Sequence, residues 1–200
     1  MTATVERVDK FEERRRELAD AALQTLSQLG YARTSLREIA QNSAFSHGVL
    51  HYYFRDKVDL ITYCVRRYKA VCVQRYDEIV ADAGTADELA MGFAEAMAGT
   101  LVGDATMHRL WYDLRSQALF EESFRADVRE IDESLQRMIW RVVSRYAELT
   151  ATPSRTDPSV TYAMFDGLFQ QALARHLAGV ESAPDELRAG VCALLTLVGA

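Results

Sequence analysis

Proline and cysteine are scarce in this chain: 3 of each among 200 residues. Cys64, Cys72 and Cys192 contain no CxxC pair and are odd in number. That excludes a disulfide framework and predicts reduced, mostly buried thiols; redox sensing is the alternative. No apolar run reaches the ~18 residues of a membrane span. The opening segment MTATVERVDKFEERRRELAD has no apolar stretch of the kind a signal peptide needs, so a cytoplasmic location is expected. The patterns HExxH, GxSxG, GxGxxG and the P-loop are all missing, so neither an enzyme nor a cofactor is expected. Asp166 and His108 could pair, but no nucleophile accompanies them in a recognisable setting.

Basic charge is also in short supply. Net charge is −6, which argues against nonspecific nucleic-acid binding. Its distribution matters more than its sum. Residues 1–57 hold 9 Lys/Arg and 8 Asp/Glu, while residues 58–200 hold 14 and 21. The acidity therefore lies outside the N-terminal segment.

What is present is helical periodicity with short breaks, which predicts an all-α chain. Residues 1–10 read as a loose polar arm. Phe11, Leu18, Ala22, Thr25 and Leu29 form one apolar stripe, closed by Gly30. Ser35 and Glu38 form an S-x-x-E capping box, so a helix begins at Leu36, with Leu36, Ile39 and Ala40 inward. Gln41-Asn42-Ser43 is a turn cluster. A second short helix follows, with Phe45, Leu50 and Phe54 inward and His47, Gly48, Val49, His51 and Tyr52 outward. Asp56 is the N-cap of one long helix ending near Gly84. Thr85 and Glu88 form another capping box. Further helices are expected through Phe120, over residues 123–149 and 158–178, and from Pro184 to Val198. The count is nine: a three-helix head at residues 1–57 and a helical bundle at residues 58–200.

Two short helices around a tight turn make a helix-turn-helix, whose second helix can enter a DNA major groove. His47 could hydrogen-bond a base edge, and Val49 could touch a thymine methyl. Gly48 lets the backbone approach closely. Tyr52, Tyr53, Lys57 and Arg37 can donate to phosphates. Other readings compete. Tyr53 and Phe54 suit packing as well as contact. His47 and His51 have metal-ligand spacing, but no third ligand lies nearby, so no metal is expected. Arg14-Arg15-Arg16 is either a solvated face flanked by Glu12, Glu13 and Glu17 or a DNA-facing arm.

The segment TSLREIAQNSAFSHGVLHYYFRDKVDL, residues 34–60, resembles the TetR family of bacterial transcription regulators. Ser35, Ile39, Ala40, Ser46, Gly48, Leu50, Tyr53, Phe54, Lys57 and Leu60 match the family's pattern without a gap. Ser43-Ala44-Phe45 departs from the usual Ala-Gly-Val, Val49 from Thr, and His51 from Tyr. The resemblance implies an all-α, nine-helix architecture. It implies DNA contacts at Arg37, His47, Gly48, Val49, His51, Tyr52, Tyr53 and Lys57. It also implies a double-stranded, near-palindromic operator and a small-molecule effector, with repression as the default and activation or ligand-independent regulation as alternatives. A helical interaction protein without DNA binding is the remote alternative.

Residues 105–175 mix polar groups into aromatic stripes. His108, Trp111, Tyr112 and Arg115 share neighbouring faces of one helix, and Tyr162, Phe165, Asp166 and Phe169 repeat the pattern later. Each is either core or the lining of an effector pocket. The lining would suit a mostly apolar ligand with one polar or cationic group. RLWYDLRSQALFEESFRADVRE and DGLFQQALARHLAG are similar to the C-terminal body of choline-responsive TetR members; no ligand is carried over from that similarity. Phe165, Leu168, Phe169, Leu173, Leu194, Leu195 and Leu197 give the last two helices an apolar excess, which predicts a homodimer through them.

Overall fold

The computed structural model describes residues 2–30 and 34–199. Ten α-helices and one 3₁₀ turn, with no strand, make up the described residues. They are α1 (Thr2–Leu29), α2 (Leu36–Gln41), α3 (His47–Tyr53), α4 (Lys57–Arg75), α5 (Asp77–Asp82), α6 (Ala86–Gly103) and α7 (Ala105–Gln117). After the turn at Glu122–Phe124 come α8 (Arg125–Thr150), α9 (Pro158–Leu177) and α10 (Ala183–Val198). The all-α expectation holds, and counting α4 and α5 as one interrupted helix gives nine.

The caps read from sequence are present. Ser35 Oγ accepts from Glu38 N at 3.2 Å while Glu38 Oε2 accepts from Ser35 N at 2.7 Å. Thr85 and Glu88 make the same reciprocal pair. Asp56 Oδ1 accepts from Asp59 N at 2.9 Å and starts α4. Each such cap stabilises by about 1 kcal/mol. Gly30 ends α1 at φ +73°, a left-handed conformation that costs glycine little.

Two expectations fail. The backbone from Thr2 is already helical, so residues 2–10 are not a loose arm; residue 1 lies outside the described residues. No proline or glycine occurs before Gly30 to stop α1 from extending toward the N-terminus. The long fourth helix is broken at Tyr76. Arg141 is the cause. Its Nη2 donates to the Val73 carbonyl at 2.9 Å, the acceptor that a continuous helix would offer to Asp77 N–H. The same guanidinium holds the Asp77 carboxylate at 2.7 Å.

The chain divides into two compact units: residues up to Tyr68 with Leu110–Asp127, and Lys69–Arg109 with the residues from Val128. In the first, Leu18, Ala22 and Leu26 of α1, Leu36 and Ile39 of α2, Leu50 of α3 and Phe54 are buried, and α2 packs on both α1 and α3. In the second, α10 packs on α6 and α9. Phe93 sits 5.0 Å from Tyr76 and 6.0 Å from Phe165, centroid to centroid.

Arg141→Met should heal the break. Native-state hydrogen exchange at Asp77 N–H is expected to slow as Val73 O becomes its acceptor; unchanged exchange would mean that Tyr76 packing, not Arg141, interrupts the helix.

Candidate nucleic-acid interface

The recognition segment is positioned by its own caps. Ser46 Oγ accepts from Val49 N at 3.3 Å, fixing the start of α3, and Ser43 Oγ accepts from Phe45 N at 3.3 Å in the turn. Leu50 and Phe54 anchor the inner side. Arg37, His47, Gly48, His51 and Tyr52 are exposed, and Val49, Tyr53 and Lys57 are half-buried. All eight belong to the first unit.

The His47 and His51 rings meet edge to face at 4.4 Å, on one exposed side of α3. No group of three or more metal-ligating side chains occurs among the described residues. Tyr52 is 71% exposed and meets Tyr53 at 5.0 Å; Phe11 stacks on Tyr53 at 4.7 Å. Tyr53 therefore packs and remains reachable, while Phe54 is core. Lys57 has its pKa lowered: burial is the main cause, opposed by Glu121, Asp113 and Glu38. Gly48 has open space where a Cβ would sit, with nothing within 4 Å.

The Arg14–Arg16 triplet does not act as one face. Arg14 pairs with Glu17 and lies 4.8 Å over the Phe45 ring. Arg15 turns inward: Nη2 donates to Asp59 at 3.0 Å, and its guanidinium sits 4.9 Å from the Phe54 ring and 4.6 Å from that of Tyr63. Arg14 and Arg16 stay exposed. Nothing in the charge run distinguishes Arg15; its place on the buried stripe beside Leu18 and Ala22 does.

Of the residues read as an effector pocket, Trp111, Tyr112 and Arg115 lie in the first unit. His108, Tyr162, Phe165, Asp166 and Phe169 lie in the second. The structure brings His108 and Phe169 together, ring centroids 4.5 Å apart. Tyr162 donates to Asp132 at 2.7 Å, and Phe165 is buried against Phe93. Sequence reasoning missed Lys69, which is 6% exposed with Nζ 3.4 Å from His108 Nδ1. The available signal was its place on the stripe Val65, Lys69, Cys72. Burial, then Lys69 and Arg75, push the His108 pKa down to about 2. Its imidazole is neutral, and Nδ1 can accept from the ammonium. Cys64 is fully enclosed, its Sγ 3.5 Å from Ala19 O, and burial pushes its pKa up to about 12, which makes it a poor thiolate.

A neutral buried His108 makes folding pH-dependent in one direction. Its folded pKa lies below its ordinary 6.5. Below that pH the unfolded chain binds the proton and the folded chain does not, so stability falls with acidification, by up to about 1.4 kcal/mol per pH unit. Melts between neutral and mildly acidic pH should show His108→Gln losing less stability than the parent chain. Equal slopes would mean that His108 is protonated in the folded state.

Residues 18–64 match the model of bacterial regulatory proteins of the tetR family. The regulator BetI of Paraburkholderia xenovorans is 42% identical over 53 residues, 26% of this chain. That match covers only about a quarter (27%) of BetI's own length. A TetR-family regulator from Rhodococcus sp. is 20% identical, with a TM-score of 0.73 over 94% of this chain and 100% of that one. A transcriptional regulator from Saccharomonospora viridis, solved in complex with choline, is 16% identical, with a TM-score of 0.75 over 92% of this chain and 96% of that one. The whole-chain likeness shows the fold, and the local matches show an N-terminal segment similar to that of tetR-family regulators, over about a quarter of the chain.

Proposed function

We propose that this protein is a DNA-binding transcriptional regulator, a repressor released from its operator by a small-molecule effector. Residues 1–57 would form the DNA-reading head and residues 58–200 the effector-binding and dimerisation part. Arg37, His47, Gly48, Val49, His51, Tyr52, Tyr53 and Lys57 would contact duplex DNA. Gly48 carries this reading. Glycine inside a helix costs about 1 kcal/mol relative to alanine. Beyond its neighbours and its own helical backbone, no atom of the described residues lies within 4 Å of the missing Cβ. The space is kept clear for a surface that comes from outside, and the flanking His47, Val49 and His51 offer what a base edge can use.

A near-palindromic operator calls for a symmetric dimer. The seven apolar residues expected to supply its contact divide. Phe165, Phe169, Leu173 and Leu195 are core, while Leu168 and Leu194 are half-buried and Leu197 is 57% exposed. The open faces of α9 and α10 carry small residues instead, Ala163, Gly167, Ala189 and Ala193 among them. Gly167, like Gly48, is helical with nothing within 4 Å of its missing Cβ. Such faces allow two helix pairs to approach closely, in an interface on the order of 2,000 Å². The assembly would act in the cytoplasm.

The effector site would lie in the second unit, at His108 and Phe169. Lys69 beside a neutral His108 favours an apolar effector with a hydrogen-bond acceptor there over the cationic group that Asp166 suggested. An effector can release DNA only by preferring a conformation in which the recognition helices no longer fit their grooves. α4 carries Lys57 at its start and Lys69 further along, so it is the element through which we expect the two sites to be coupled.

Gly48→Ala is expected to raise thermal stability by about 1 kcal/mol. It should weaken operator binding about tenfold or more, the effect of an overpacked contact. Unchanged affinity would remove the close approach. Lys57→Ala should weaken binding to all sequences and lower the salt slope by roughly one. For the dimer, Gly167→Glu should sediment as a monomer at micromolar concentration, where the parent chain is a dimer. A dimer that survives the substitution would place the interface elsewhere.

A further inference from the structure

The chain has four histidines, and two of them form a pair on the helix read as entering DNA. His47 and His51 are one turn apart on α3, a spacing that puts both side chains on one face. Both are exposed, and their rings meet edge to face with centroids 4.4 Å apart. The other two differ: His108 is buried in the second unit, and His176 is half-buried on α9. A first-row dication held by one nitrogen of each ring, with bonds of about 2.0–2.1 Å, needs those nitrogens roughly 3 Å apart. Rings already 4.4 Å apart reach that spacing by side-chain rotation, without moving the helix. No group of three or more metal-ligating side chains occurs among the described residues, so no carboxylate or thiolate joins the pair. Water completes the coordination, which makes the site open and exchangeable, unlike a closed four-ligand structural site. Imidazole ligands suit copper, nickel and zinc; calcium and magnesium prefer oxygen.

We propose that His47 and His51 bind one hydrated copper, nickel or zinc dication per chain, and that the bound metal competes with base reading by α3. The competition rests on the DNA-reading function proposed above; the metal site does not. A coordinated imidazole has given up the nitrogen it would offer to a base edge. The ion and its waters also stand on the helix of Gly48, whose missing Cβ faces open space. A dication attracts phosphates of any sequence, so the loss falls on specific rather than general binding. By linkage, metal and specific DNA weaken each other by the same factor. At ten times the metal's dissociation constant, affinity for a specific fragment falls about tenfold.

The test is calorimetric titration of nickel chloride into the whole chain and into His47→Gln, His51→Gln and His176→Gln, in a metal-free, non-chelating buffer. His47 and His51 are exposed, so their variants should melt with the parent. The parent and His176→Gln should each bind one nickel ion per chain. His47→Gln and His51→Gln should bind about tenfold more weakly or worse, because one imidazole lacks the gain of two tethered ligands. Gel shifts of a genomic fragment retained by the metal-free parent follow, with and without nickel. Parental retention of that fragment should fall with nickel, more than that of a random-sequence duplex, and return with a chelator. Retention by His51→Gln should not respond to nickel. Equal nickel binding by all four proteins, or a loss confined to His176→Gln, overturns the site. Nickel bound at the pair with unchanged retention overturns the competition. A parent that binds nickel but retains no fragment overturns the DNA reading, and the competition with it, while the metal site stands.

Discussion

Arg15 joins three segments of the first unit. Its guanidinium is held between the Phe54 and Tyr63 rings and tied to Asp59. Asp59 in turn accepts from the backbone of Arg55, just before α4. α1, the end of the recognition segment and the start of α4 are thus fixed by one side chain. Each ring contact contributes about 0.5–2 kcal/mol, more as water is excluded. The value lies less in stability than in angle: a helix that reads base edges must be held to within about half an ångström. α3 has only seven residues and could not hold a direction alone.

Charge follows from the same arrangement. The segment of residues 1–57 is nearly neutral, and some of its cations are paired within the first unit: Arg14 with Glu17 and Arg15 with Asp59. On the proposed reading, what would remain for DNA is a short set of exposed polar and aromatic side chains around Gly48. Binding of this kind would gain little from bulk attraction and would depend on fit, as the proposed release from an operator requires. The buried Lys69–His108 pair in the second unit is a comparable expense. Two basic groups held together in the interior are costly, and such groups concentrate at functional sites.

The capping boxes at Ser35 and Thr85 and the N-cap at Asp56 were legible because they depend on residues three apart. The outward set on α3 was legible for the same reason. The break at Tyr76 was not, because its cause, Arg141, lies in another helix. The extension of α1 to Thr2 was missed because polar composition was taken for disorder where no helix breaker occurs. Arg15 looked like part of a charge run, and only the Phe54 and Tyr63 rings reveal its role. The apolar excess of α9 and α10 was misjudged for a related reason: Phe165 and Phe169 share a stripe with the residues that stay outside, and periodicity does not say which helix covers them.

The central claim is sequence-specific DNA reading by the segment around Gly48. Its most direct test is a gel shift of the purified protein against genomic fragments at physiological salt, followed by footprinting of any retained fragment. The account predicts retention of a few fragments, each protected over a near-palindrome with half-sites about one helical turn or a multiple apart. Uniform weak retention of all fragments, or none, would contradict it.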